Sequence, residues 1–170
     1  MKKRFSKWLL RLMGWRVGPA GDDVARCVIC VAPHTSNMDF VIGKLFYFAV
    51  GKQAAFLMKK EWFAFPLGIF FRAMGGVPID RSRNTSMTEL MAAEFARRKH
   101  FRLAITPEGT RKRVDEWKRG FYYIALKAGV PIQLGYIDYG RKEVGIMETF
   151  HPTGDAEADI RYIRSRYEGM

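Results

Sequence analysis

His34 and Asp39, five residues apart, are the first pair in this chain equipped to do acid–base chemistry. Within one helix that spacing separates two side chains by about 140° around the axis, so they would not meet. They meet if His34 lies in a loop and Asp39 in the first helical turn, with Ser36 as the N-cap between them. The carboxylate then accepts a hydrogen bond from Nδ1, fixes the tautomer and leaves Nε2 as a base. The same residues also fit a plainer pattern, a capping box in which Asp39 reaches back to Ser36 and His34 is an ordinary loop histidine.

Two further segments place cations on turns. Pro107, Glu108, Gly109, Thr110 and Arg111 have proline and glycine at tight-turn spacing, with Gly109 suited to positive φ. Such a turn can aim backbone N–H groups at an anion, and Arg111 can add a bidentate phosphate contact. With Lys112 and Arg113 beside it, the segment reads equally as a solvated basic turn. The run from Gly76 to Arg81 ends similarly: Arg81 and Arg83 either enter the same anionic site or stand on the surface with Asp80 as a local partner. Cys27 and Cys30 are three apart on an apolar run, which on a strand points them to opposite faces. No second cysteine pair or clustered histidine completes a metal site, so both are expected to be buried and inert.

The elements that must position these residues alternate in type. Strands are expected at 27–32, 54–58, 77–79 and 102–106, and at 132–139 and 143–150 around Gly140 as a hairpin. Helices are expected at 36–50, at 86–98 after a Ser86–Glu89 capping box, at 120–128 before Gly129 and Pro131, and at 155–167. Residues 61–71 read as an interrupted aromatic helix, more in keeping with core than with a site, although part of it can line an acyl-chain groove or touch lipid. This alternation predicts a single-domain α/β fold, with a mostly parallel mixed sheet flanked by helices.

The chain has 170 residues, 48% of them hydrophobic, which fits one domain and excludes extensive disorder. Its net charge of +12 calls for an anionic partner: nucleic acid, anionic lipid or an acidic protein. No helix-turn-helix, zinc or RNA-recognition pattern is present, which disfavours nucleic acid. No apolar window is long enough to span a bilayer; the longest, 62–71, is broken by Pro66 and Gly68. No signal-peptide pattern follows Met1, and the expectation is an intracellular protein.

Residues 1–17 stand apart from the domain expected over 22–170. Lys2, Lys3, Arg4, Lys7, Arg11 and Arg16 are basic and none of the first sixteen residues is acidic. Phe5, Trp8, Leu9, Leu12 and Met13 recur at the spacing of one helical face. Such a helix either lies on an anionic membrane surface or docks on the protein's own core.

Taken in order, His34-x4-Asp39, Gly76-x-x-Ile-x-Arg81, Pro107 to Arg111 and Val130-Pro131-Ile132 resemble the four blocks of the glycerophosphate/lysophosphatidate acyltransferase family. The resemblance spans most of the chain, and its first and third blocks carry nearly all the specificity. It implies transfer of a fatty acyl group from a thioester, on coenzyme A or acyl carrier protein, to a hydroxyl of a lysophospholipid such as 1-acylglycerol-3-phosphate. It casts His34 as the general base, Asp39 as its orienting partner, and Arg81, Glu108, Gly109, Thr110 and Arg111 as the phosphate-binding set. Ser36, Gly76 and Pro131 would support them, with Pro131 tied to the acyl-donor side and to packing. No metal, bound cofactor or acyl-enzyme is implied. Thr106 and Lys112 stand where the family often has Phe and Ser, so the acceptor is open between lysophosphatidate and another lyso-lipid such as an aminolipid; an inactive lipid-binding homologue is the other alternative. The expected place of work is the cytoplasmic face of the cell membrane, with an acidic acyl carrier protein also drawn by the charge.

Overall fold

The computed structural model describes residues 1–79, 86–111, 114 and 116–170. Among them one sheet contains β1 (Arg16–Val17), β2 (Arg26–Ala32), β3 (Ala55–Lys59), β4 (Gly76–Ile79), β5 (Phe101–Ile105), β6 (Ile132–Asp138) and β7 (Glu143–Phe150). The strands lie in the order β1-β7-β6-β2-β5-β3-β4, and every pairing except the β6–β7 hairpin is parallel. The expected α/β architecture is thus the one observed.

The central β2 reads as an unbroken apolar run because both of its faces are covered. Cys27 and Ile29 face a cluster with Leu10 of α1 (Lys2–Leu12) and Ile42 and Phe46 of α2 (Met38–Ala49). Val28 and Cys30 face the other cluster, with Phe95 of α4 (Met87–Arg97), Phe121 and Tyr122 of α5 (Gly120–Ala128) and Ile163 of α6 (Ala156–Ser165). The helix α5 stops at Gly129, which takes the left-handed conformation at φ +62°.

Several expectations shift. Residues 61–71 resolve into a 3₁₀ turn (Lys60–Phe63) and α3 (Leu67–Ala73), and most of their aromatic side chains are exposed rather than core. The capping box at Ser86 is not formed: its backbone carbonyl accepts from the Glu89 and Leu90 N–H groups, but its side chain makes no cap bond. The first 17 residues are built into the domain. Arg16–Val17 pair with β7 as β1, and Leu10 and Trp15 lie in the core. Within α1 the buried residues are Ser6 and Leu10, whereas Phe5, Trp8 and Leu12 are 59%, 57% and 68% exposed. Of the predicted stripe, Phe5, Trp8 and Leu12 therefore face outward, while Leu9 is part-buried and Met13 packs against the core. Among the described residues no helix is long and apolar enough to cross a membrane.

Parallel pairing sets the position of the site. The strands β2, β4, β5 and β6 all run the same way, so the loops after them gather at one edge of the sheet. His34, the 107–111 turn and Tyr139 follow three of those strands. Arg81 and Arg83 follow the fourth, but like Lys112 and Arg113 they lie outside the described residues.

Candidate active site

The chain leaves β2 at Ala32, and the loop before α2 wraps around a single carboxylate. Asp39 is only 4% exposed. Its Oδ2 accepts from His34 Nδ1 at 2.9 Å, from the Thr35 N–H at 2.8 Å and from the Ser36 N–H at 3.0 Å. Its Oδ1 accepts from the Tyr139 hydroxyl at 2.6 Å. Ser36 Oγ accepts from the Met38 N–H at 3.1 Å, but the N-cap of α2 is Asn37, one residue later than expected, and Ser36 stands just before it. One oxygen of Asp39 thus serves both the Ser36 N–H and His34 Nδ1, while the Asp39 N–H donates to the Ser36 carbonyl rather than to the Oγ that a capping box would use. A carboxylate only accepts here, which assigns the imidazole proton to Nδ1 and leaves the Nε2 lone pair for chemistry.

The turn after β5 is latched to this loop at two points. Glu108 is buried, and its Oε1 accepts from the His34 backbone N–H at 2.8 Å. Its carboxylate thus ties the turn to the loop that carries His34. Arg111 Nη1 donates to Asn37 Oδ1 at 3.1 Å, so the exposed guanidinium stands beside the start of α2. Gly109 has φ +64°, and a Cβ there would fall 2.8 Å from Lys118 Nζ. The Lys118 side chain thus lies over the turn, and the Lys118 N–H donates to the Pro107 carbonyl at 2.8 Å. Thr110 lies on the same turn.

The supporting residues divide. At Gly76 a Cβ would fall 2.8 Å from the Phe71 carbonyl oxygen and 3.0 Å from the Phe63 ring, so this glycine permits close packing at the start of β4. Pro131 precedes β6, and its carbonyl accepts from the Val28 N–H at 3.0 Å. It lies at the other ends of the strands from the His34 loop, roughly 20 Å away at ~3.3 Å per strand residue.

A cavity of about 470 Å³ opens beside the His34–Asp39 pair, between α2 and the sheet. Phe40, Gly43, Phe56 and Ile105 are among its mostly apolar lining. Lys44 also lines it, one helical turn or more beyond Asp39. Its ammonium donates to the Ala54 carbonyl at 2.7 Å and to the Met74 carbonyl, and lies 5.2 Å from the Phe56 ring centroid. Burial lowers its pKa to about 8. None of the aromatic residues at 62–71 lines the cavity. Neither cysteine lines it, and the two face opposite sides of the sheet; burial pushes the Cys27 thiol up to about 12 and raises Cys30 as well.

Sequence reasoning missed Tyr139 and Lys118. Tyr139 could have been found, because it closes a strand parallel to β2 and so must reach the same edge. Lys118 belongs to no motif, and only the fold of the turn brings it to Gly109.

A family model described as acyltransferase matches residues 21–134. The chain belongs to the acyltransferase family. The matched stretch of this acyltransferase contains the His34–Asp39 loop, the 107–111 turn and the strands that carry them. No curated protein matches it in a sequence comparison. Among solved structures it is similar to the 1-acyl-sn-glycerophosphate (LPA) acyltransferase PlsC from Thermotoga maritima, with a TM-score of 0.65 and 23% sequence identity. That match covers 97% of this acyltransferase and 74% of the other chain, and what the two share at this identity is the fold.

Proposed function

We propose that this acyltransferase moves a fatty acyl group from an acyl thioester to a hydroxyl of a lysophospholipid-type acceptor, with 1-acylglycerol-3-phosphate as the leading acceptor and phosphatidate as its product. The observation that carries the reading is the 2.9 Å bond between His34 Nδ1 and Asp39 Oδ2 at the mouth of an apolar cavity. An alkyl chain fits such a lining, and the base stands where the reacting atoms would meet.

In this mechanism Nε2 removes the proton from the acceptor hydroxyl as its oxygen attacks the thioester carbonyl. Asp39 stabilises the imidazolium that forms. The tetrahedral intermediate collapses, the C–S bond breaks, and the thiolate leaves and takes the proton back from Nε2. No acyl-enzyme is needed, in keeping with two buried thiols that do not line the cavity. Arg111 and Lys118 would hold the acceptor phosphate, joined by Arg81 as the motif suggests. Coenzyme A and acyl carrier protein are both suitable donors. The outward aromatic face of α1, ringed by Lys and Arg, supports work as a peripheral protein on an anionic membrane surface, on the cytoplasmic side.

Acceptor-dependent thiol release tests the reading. Acyl-coenzyme A and acyl-carrier protein are each offered with lysophosphatidate or with a lyso-aminolipid. Release is expected with lysophosphatidate and is expected to fall at least ~10²-fold in His34→Ala. A fully active His34→Ala protein would sink the mechanism, and release with the aminolipid alone would replace the acceptor.

A further inference from the structure

We infer that Tyr139 is a positioning residue for this pair, a role that rests on the acyl-transfer reading above: its hydroxyl holds Asp39 Oδ1 and so keeps Oδ2 on His34 Nδ1. The torsion that turns a carboxylate is broad and roughly two-fold, so bonds to one oxygen leave the group free to swing. All three donors to Oδ2 come from consecutive residues of one loop, His34, Thr35 and Ser36. The donor to Oδ1 comes from a different strand end, 100 residues along the chain. Two independent elements therefore grip the two oxygens, and only together do they fix the plane of the carboxylate.

Tyr139 is itself held in place. The buried Trp15 ring meets it edge-on, with centroids 5.0 Å apart and planes at 86°. The Lys142 ammonium lies 5.3 Å from the Trp15 centroid and 5.6 Å from that of Tyr139. Tyr139 is 36% exposed, and partial desolvation, then the bond to Asp39, raises the phenol pKa above its ordinary value, so Tyr139 remains a donor at neutral pH. The protein contains an internal control. On β6, which Tyr139 follows, Tyr136 donates to Glu143 at 2.7 Å, a bond of the same kind that does not touch His34 or Asp39.

The test compares Tyr139→Phe with Tyr136→Phe, using ¹⁵N-histidine NMR of the imidazoles and steady-state kinetics. His34 is identified by the signals lost in His34→Ala, since the chain has three histidines. In the wild type His34 is expected as the Nδ1–H tautomer. In Tyr139→Phe that signal is expected to broaden or to move towards a tautomer mixture. With it, kcat should fall roughly ten-fold at unchanged KM, the worth of one hydrogen bond to a charged group. Tyr136→Phe should leave both unchanged, and Tyr139→Phe should cost nothing further in an Asp39→Asn background. An unaltered His34 spectrum in a folded Tyr139→Phe protein overturns the inference, whatever the activity. A shifted tautomer in a protein whose wild type releases no thiol with any donor upholds the positioning role and removes the acyl-transfer reading.

Discussion

The backbone N–H of His34 is held by the side chain of Glu108, 74 residues further along, at 2.8 Å. The bond joins the loop after β2 to the turn after β5, so the proposed base and the proposed phosphate-binding turn move as one unit. Glu108→Ala leaves a part-buried N–H without its acceptor, at a cost of roughly 1–3 kcal/mol. Stability in urea should fall by that amount, and kcat should fall with it because His34 is no longer fixed. Glu108→Gln keeps a carbonyl oxygen that can accept, and should retain most of the activity. Equal loss in both variants would instead require the negative charge itself.

Arg111 and Lys118 make a separate prediction about the acceptor. Arg111 is exposed, with one donor spent on Asn37, and Lys118 lies over Gly109. If they bind phosphate, the double variant Arg111→Ala/Lys118→Ala should raise KM for lysophosphatidate about ten-fold or more and leave that for an uncharged monoacylglycerol unchanged. An equal rise for both acceptors would show that the two cations do not read the phosphate.

How much of this was legible follows from what each residue depends on. The apolar run of β2 is local, and the chain folds there as its sequence says; α2 starts one residue later than the Ser36 signal, with Asn37 as its N-cap. Parallel strands then bring the loops to one edge, so the site's location followed from fold class. Other features depend on partners that spacing does not reveal. The turn motif at 107–111 says nothing about where the Glu108 carboxylate points. The two-residue β1 is too short to show a pattern and exists because β7 offers it an edge. The helical stripe in α1 was visible, but which face packs is decided by α2, with whose Ile42 and Phe46 the buried Leu10 clusters.

That outward stripe predicts lipid binding. Phe5 and Trp8 are exposed and lie with ring centroids 5.9 Å apart, and α1 carries no acidic residue in its first turn. Burying each ring in a bilayer interface is worth roughly 1.5–3 kcal/mol. Phe5→Ser/Trp8→Ser should therefore weaken binding to vesicles containing phosphatidylglycerol at least ten-fold, with little change in Tm. High salt should weaken the wild type further by screening the cations. A lowered Tm with unchanged vesicle binding would mean that these rings serve the fold instead.

Lys44 makes the last prediction, one of stability against pH. Its pKa is about 8 in the folded protein against an ordinary 10.5, because burial disfavours the charged form. Between those values the unfolded chain holds a proton that the folded chain has released, so stability rises with pH through this window and is lost as pH falls through about 8. From neutral pH to pH ~9 the gain from this group is roughly 1 kcal/mol. Urea midpoints should move upward over that range in the wild type, and the rise should flatten in Lys44→Met, which keeps the side chain's bulk against Phe56 without the charge. The same variant should change acyl-chain preference, because Lys44 lines the cavity and ties α2 to the carbonyls of Ala54 and Met74. A pH profile that stays as steep in Lys44→Met as in the wild type would place the titrating group elsewhere.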